Sequence, residues 1–319
     1  MNTVRRDFLI LCFISVLWSA AFFMVKDLRA SFSDAGATML RFSLIAAGLW
    51  VALAFRGYRR VFRVVLPQRP HHWLWGLALG FFGNGPAYVL YFRAMAETLG
   101  TEATVLSTSS PIVLALLGAL LLRERLTALA WTGLVVGFVG MYGVVTHGWS
   151  PMDLGALQSP GNLLIVVGLL LESLATVLAK PLVVRYSGLG VVTLTMTGTA
   201  LFGAFATVLL GDPVVVGPVT PAAIVKLGYL TLLCGLVLFP TWYWVMERLP
   251  IGLMGISLFV LAPSAALIGF LFYGDVVHPV VWQGTVLILL AIWLSTRTTR
   301  AQPRPEPSAS GGSTPGTET

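Results

Sequence analysis

Glu172 falls within Leu169-Leu170-Leu171-Glu172-Ser173-Leu174 and is the one acidic residue that lies well inside a stretch apolar enough to cross a bilayer. A carboxylate in hydrocarbon is expensive, so it faces a polar interior, a partner or a proton path. The chemistry open to it is contact with a substrate amine or a proton-linked step; the structural alternative is a hydrogen bond to a neighbouring helix. Lys180 lies eight residues on, about two helical turns along a similar face. That gap is too long for a direct pair, and Lys180 is expected to snorkel to the interface. Six aromatic residues, Trp18, Phe22, Tyr88, Tyr91, Trp242 and Tyr243, are candidates for a cavity wall that holds cations or flat substrates. The competing reading places such rings against lipid or in the headgroup belt. Asn84, in Gly83-Asn84-Gly85-Pro86, offers a polar substrate contact or an interhelical hydrogen bond.

Pro111 and Pro263 interrupt two long apolar runs. Each removes a backbone hydrogen bond and invites a kink. Before the first lies Ser107-Thr108-Ser109-Ser110, whose hydroxyls can satisfy freed carbonyls or face a wet cavity, and Ser257 and Ser264 flank the second. Broken helices at matching places point to a central binding site. Ser107, Ser110 and Ser257 therefore join the candidate substrate contacts, and Pro111 and Pro263 the candidate hinges; a purely structural kink is the alternative. Glu124 and Asp275 each sit in a tight connection before a helix, where a carboxylate suits the exposed N–H groups of the first turn. They are expected to fix hairpins, with pairing of Glu124 to Arg123 or Arg125 as a gate the second reading. Gly133, Gly137, Gly140 and Gly143 have small-residue spacing that permits close helix approach, within the fold or at a homodimer surface.

Other chemistries find little support. Both cysteines, Cys12 and Cys234, lie inside apolar runs without CxxC or Cys/His spacing, so neither a disulfide nor a metal is expected, and no cofactor is called for. A membrane-embedded enzyme or scaffold acting on lipid-linked substrates is the alternative class. Such enzymes generally need clustered His, Asp or Glu. Here His71 and His72 open an apolar run, His147 and His278 lie in connections, and HExxH, DxxD and GxSxG patterns are absent from the sequence. A channel would need a filter sequence or a charged ring, neither of which is evident.

The elements that must position these residues are membrane helices. Hydrophobic residues make up 57% of the 319-residue chain and charged residues 10%, with a mean hydropathy of +0.86; soluble domains carry roughly a quarter charged residues. Apolar runs predict spans near 8–26, 36–55, 73–93, 101–122, 128–146, 161–180, 190–210, 221–245, 251–273 and 279–296. Arg5-Arg6-Asp7-Phe8-Leu9 imitates a twin-arginine export signal, but Val4 precedes it and the run from Phe8 to Val25 is long enough to span. Fifteen of the 20 basic residues fall in alternate connections: Arg5 and Arg6, Arg56 to Arg69, Arg123 and Arg125, Lys180 and Arg185, Arg248, and Arg297 to Arg304. The opposite connections collect Asp27, Asp34, Glu97, Glu102, Asp153, Asp212 and Asp275. The positive-inside bias predicts an even number of spans with both termini in the cytoplasm. The net charge of +7 is thus read as topology and not as affinity for nucleic acid. Residues 301–319, rich in Pro, Ser, Gly and Thr, are expected to be a disordered cytoplasmic tail.

The halves resemble each other. Tyr91, Gly100 and Pro111 recur as Tyr243, Gly252 and Pro263; Glu124, Trp131 and Gly133 as Asp275, Trp282 and Gly284; Ser19, Ala21 and Lys26 as Ser173, Ala175 and Lys180. The register predicts a duplication, residues 1–148 and 149–300. With five spans each, an odd number, the second half must enter the membrane inverted. The expected fold is all-α: ten transmembrane helices in two inverted repeats around a central cavity, an architecture associated with alternating-access carriers.

Several short segments in order carry a family resemblance: Trp18-Ser19-Ala20-Ala21-Phe22, Leu40-Arg41-Phe42, Tyr91-Phe92-Arg93-Ala94-Met95, Ser110-Pro111, and Arg123-Glu124-Arg125-Leu126 followed by Trp131 and Gly133. Over about 290 residues the chain resembles the drug/metabolite transporter superfamily, in its form with two EamA-like repeats. The first motif departs from the family's Trp-Gly-Ser-Asn-Phe, and Asp275 stands where the family commonly has Glu. The resemblance implies a non-enzymatic secondary transporter in the cell inner membrane. Its partners would be the bilayer and a small-molecule substrate, by analogy an amino acid or related metabolite, moved by efflux.

Overall fold

The computed structural model describes residues 3–61, 63–97, 106, 109–146, 160–273 and 279–297. Among them no β-strand forms, only a single bridge between Phe32 and Val215. The first two helices are α1 (Thr3–Leu28) and α2 (Asp34–Ala54), followed by short α3 (Arg56–Val61). A long helical rod then runs through α4 (Pro70–Ala78), a π-helical segment (Leu79–Asn84) and α5 (Gly85–Glu97). Next come α6 (Ser110–Leu121), α7 (Ala128–Thr146), α8 (Pro160–Arg185) and α9 (Gly188–Leu210). A second long rod joins α10 (Pro221–Gly228), a π-helical segment (Tyr229–Leu238) and α11 (Phe239–Met246). The chain ends with α12 (Ile251–Ser257), a 3-10 turn (Leu258–Val260), α13 (Leu261–Ile268), a π-helical segment (Gly269–Tyr273) and α14 (Pro279–Arg297).

Seven of these helical stretches are long and apolar enough to cross a membrane, and Ser110–Leu121 and Pro279–Ser295 are shorter apolar helices. Their outer faces carry large bare side chains such as Phe82, Leu120, Val208 and Phe272. Such a surface suits a hydrocarbon solvent, in which helices satisfy their own backbone. The sequence fixes several starts by local chemistry. Ser33, Ser187 and Thr220 each accept a bond from the backbone N–H three residues on, Gly36, Gly190 and Ala223 respectively. That is the action of an N-cap. Gly211, at φ +64°, ends α9 in the left-handed region that glycine tolerates.

Proline decides where the long rods change winding. The N–H groups of Gly85 and Phe239, immediately before Pro86 and Pro240, bond five residues back to Gly80 and Cys234. A proline ring collides with the carbonyl four residues back, and the wider turn relieves this. At Pro263 the accommodation is the 3-10 turn Leu258–Val260 just upstream. Pro111 occupies the first turn of α6, where the missing N–H costs nothing. The two breaks meet: a methyl group on Gly255 would lie 3.1 Å from the Pro111 carbonyl oxygen.

Helix α9 packs against α2 and against the 70–97 rod. The second contact is backbone on backbone, since a Cβ on Gly80 would fall 1.9 Å from the Thr195 carbonyl oxygen and one on Gly198 2.0 Å from that of Leu77. Gly133, Gly137 and Gly140 face α14, with Gly140 and Gly284 at the closest approach. The glycine stripe therefore packs within the fold.

Besides this close packing along the helices, the ion pairs between the halves fall into two sets, one at each end. At one, Asp7, wholly buried, accepts from Arg248 Nε at 2.6 Å and pairs with Arg6 at 3.0 Å, while Ser187 Oγ bridges to the backbone of Val65 and Tyr186 Oη meets His72 Nδ1 at 2.6 Å. At the other, Lys226 pairs with Asp27 at 2.5 Å and Ser31 Oγ donates to the Pro218 carbonyl. Asp7 and Asp27 are twenty residues apart on α1, about 30 Å of helix, so the two sets lie on opposite faces. Lys180 does not snorkel. It is 5% exposed and donates to the carbonyls of Met246 at 2.5 Å and Leu249 at 2.6 Å, where α11 ends and its last carbonyls lack helical partners.

Candidate functional site

Glu172 projects from the middle of α8 toward α5. Gly168, one turn earlier on the same face, leaves room for the Tyr91 ring, which would lie 3.0 Å from a Cβ there. Both carboxylate oxygens are held: Tyr88 Oη donates to Oε1 at 3.1 Å and Tyr91 Oη to Oε2 at 2.9 Å. Tyr88 and Tyr91 are three residues apart on α5, so they share a helix face.

These three side chains line a cavity of about 210 Å³ between the halves of the chain. Its aromatic wall comes from α1, α5 and α11. Trp18 packs on Trp242 with ring centroids 5.6 Å apart and on Phe239 at 5.3 Å. Tyr243, buried against Asn84 and Thr195, closes the wall beside Tyr88 and Tyr91. The winding changes before Pro86 and Pro240 thus sit at the cavity, setting Asn84, Tyr88, Phe239 and Trp242 on its lining. Ser110, Ser173 and Thr176 add hydroxyls. Arg41, from the middle of α2, lies with its guanidinium 5.0 Å from the Phe42 ring centroid and 5.9 Å from that of Tyr88.

Of the residues singled out in the sequence, Glu172, Trp18, Asn84, Tyr88, Tyr91, Ser110, Trp242 and Tyr243 share this one cavity. Ser257 does not. It is fully buried immediately before the 3-10 turn, and its Oγ donates to the Met254 carbonyl at 2.7 Å, satisfying a backbone group. Ser107 and the side chain of Phe22 lie outside the described residues, as do Asp275 and the tail. Neither Pro111 nor Pro263 is among the described lining residues; Pro111 follows Ser110, which is. Glu124 reaches across the halves: its Oε2 accepts from Gly252 N at 3.3 Å in the first turn of α12. The N-cap of α12 is Pro250, which has no side-chain acceptor, so the carboxylate supplies one from a distant segment. Arg123, at φ +54°, turns the chain that carries it there. The residue that the spacing of candidate groups missed is Arg41. Its signal was available, since it is a basic residue seven positions into α2 and remote from every basic cluster.

Residues 7–146 match the model of the EamA-like transporter family. Over that stretch the chain is similar to that family. Relatives of similar length extend the likeness past the matched region. The probable terminal-alkyne amino-acid exporter of Streptantibioticus cattleyicolor is 25% identical over 290 residues, covering 91% of this chain and 93% of that protein. An uncharacterized transporter of Archaeoglobus fulgidus is 22% identical, covering 91% and 97%. A solved crystal structure superposes with a TM-score of 0.71 at 21% identity over 90% of this chain and 96% of its own, a likeness of fold. These relatives are named as transporters.

Proposed function

We propose that this chain is a secondary transporter, not an enzyme, that carries a small metabolite out of the cell by alternating access. Ten helices would form two inverted repeats, 1–148 and 149–300, in the inner membrane with both termini cytoplasmic. The observation that carries the reading is Glu172: a carboxylate midway along a membrane-length helix, both oxygens held by tyrosine hydroxyls, on the wall of an aromatic cavity. Intramembrane carboxylates of this kind mark substrate or proton pathways. The contacts between the halves supply what rocking needs, a set at each face: Asp7–Arg248 and Glu124–Gly252 at one, Asp27–Lys226 and Ser31–Pro218 at the other. The broken helices around Pro86, Pro240 and Pro263 are where these elements would flex.

The deciding experiment is a metabolite screen on inside-out vesicles bearing the protein, with and without an imposed proton gradient. Accumulation of at least one solute above protein-free vesicles is expected. If no solute moves faster than through protein-free membrane under either condition, the carrier reading fails.

A further inference from the structure

The segment that joins α2 to the 70–97 rod carries Arg56, Arg59, Arg60, Arg63 and Arg69, and no acidic residue lies between Asp34 and Glu97 in the sequence. All five arginines are exposed, and among the described residues none of them forms an ion pair. Arg6 and Arg248, at the same end of the molecule, instead share Asp7. Arg185, exposed in the last turn of α8, extends the basic face from the second half. The segment is also fastened along its length. Arg59 Nε donates to the Leu53 carbonyl near the end of α2, and Arg63, at φ +47°, turns the chain. Ser187 Oγ accepts from Val65 N at 3.2 Å and donates to the Val65 carbonyl at 3.1 Å, and Trp73 Nε1 donates to the Pro67 carbonyl at 2.6 Å. Helix α2 has 21 residues, about 30 Å, which is the thickness of a hydrocarbon core. Its end therefore brings the arginines to headgroup depth, beside Phe55 and Val65, which are 65% and 42% exposed. Bare apolar side chains next to cations are the composition of an interfacial element.

From this arrangement we infer that residues 55–69, together with Arg185, form a docking surface for the headgroups of anionic phospholipids. The guanidinium fork bonds two phosphate oxygens at once, a match of geometry as well as charge. A zwitterionic headgroup brings its own cation, so its net attraction to five unmatched arginines is small. Because the segment is pinned at Leu53, Val65 and Pro67, its arginines are held in place before a lipid arrives, and less ordering is needed on binding. Ser187, which fastens Val65, is also the N-cap of α9. A lipid that holds the segment thus tightens a junction between the halves, and its binding is read as stability of the folded protein. The inference holds whatever solute the protein moves.

The test titrates the purified full-length protein in detergent with phosphatidylglycerol or with phosphatidylcholine of the same acyl chains and reads the thermal midpoint. Phosphatidylglycerol is expected to reach its half-maximal effect at about a tenth or less of the phosphatidylcholine concentration. Each arginine near a negatively charged surface contributes about fivefold. The double variant Arg56→Gln/Arg60→Gln should therefore lose the preference by more than tenfold, while its midpoint in phosphatidylcholine reports a folded protein. Arg56→Lys/Arg60→Lys, with charge but no fork, should fall between. Arg5→Gln/Arg125→Gln removes the same charge elsewhere at this end and should keep the preference. In the unaltered protein, about 1 M salt, which shortens the screening length to about 3 Å, should remove most of it; this arm decides should the first variant fail to fold. Equal potency of the two lipids in the unaltered protein, persistence of the preference in about 1 M salt, or equal loss in the two Gln variants overturns the assignment. A midpoint rise reproduced by inorganic phosphate alone overturns it as well, because the surface would then bind the free anion and not the lipid.

Discussion

At the scale of single residues, the clamp on Glu172 makes the sharpest demands. Tyr91→Phe removes one of two hydroxyls from a buried carboxylate, and hydrogen bonds to charged groups are worth about 1.5–3 kcal/mol. Transport should fall by about tenfold or more at unchanged protein level, measured as initial efflux rate per unit of protein in the membrane. Full activity in Tyr91→Phe would mean that the clamp is ornamental. Much of this site could be read from residue type alone, because an isolated acid, clustered rings and an asparagine among glycines have few reasons to lie in hydrocarbon. What could not be read was direction. Ser257 flanks a proline break as expected, yet the rotation of α12 turns its hydroxyl onto the Met254 carbonyl. Lys180 was expected at the interface because it lies toward a helix end, but the acceptors that hold it inside, Met246 and Leu249, are nearly seventy residues away in sequence.

At the scale of elements, proline sets the winding, and the proposed cycle assigns it the motion. Pro263→Ala allows the 3-10 turn before it to relax toward a continuous helix, and Pro111→Ala loosens the start of α6. Both variants should lower transport by more than they lower folded protein in the membrane, compared by transport assay and quantitative blotting. Wild-type rates in both would remove these breaks from the cycle. Glu124 makes a stability prediction: Glu124→Ala leaves the first turn of α12 without its borrowed acceptor, a loss of about 1 kcal/mol. The thermal midpoint should drop in Glu124→Ala and recover most of the loss in Glu124→Gln, which retains an acceptor oxygen. Hydropathy located the seven helical stretches that are long and apolar enough to cross a membrane, because 18 or more apolar residues have one stable form in lipid; much of the run expected over 101–122 lies outside the described residues. It could not show the π-helical windings before Pro86 and Pro240, which depend on how each helix absorbs a proline against its neighbours. Nor could it show that the carboxylate of Glu124 serves a helix in the other half, when the nearest N-terminus in sequence is that of α7.

At the scale of the whole molecule, the basic and acidic connections read from the sequence lie near the two ends at which ion pairs join the halves. Asp7, Ser187 and Arg248 gather at one, Asp27, Pro218 and Lys226 at the other. Cysteines placed in the 56–69 segment should be labelled by an impermeant thiol reagent only from the cytoplasmic side, and cysteines at Asp212 only from outside. Labelling of the 56–69 segment from outside would reverse the topology. The central claim, that Glu172 is where cargo or proton engages the carrier, is tested most directly by solute flux in vesicles bearing Glu172→Gln beside the unaltered protein and Glu172→Asp. The amide keeps size and hydrogen-bonding capacity but cannot ionise. Flux should be abolished in Glu172→Gln and partly retained in Glu172→Asp, with all three proteins inserted equally; normal flux in Glu172→Gln from about pH 5.5 to about 8 would contradict the account.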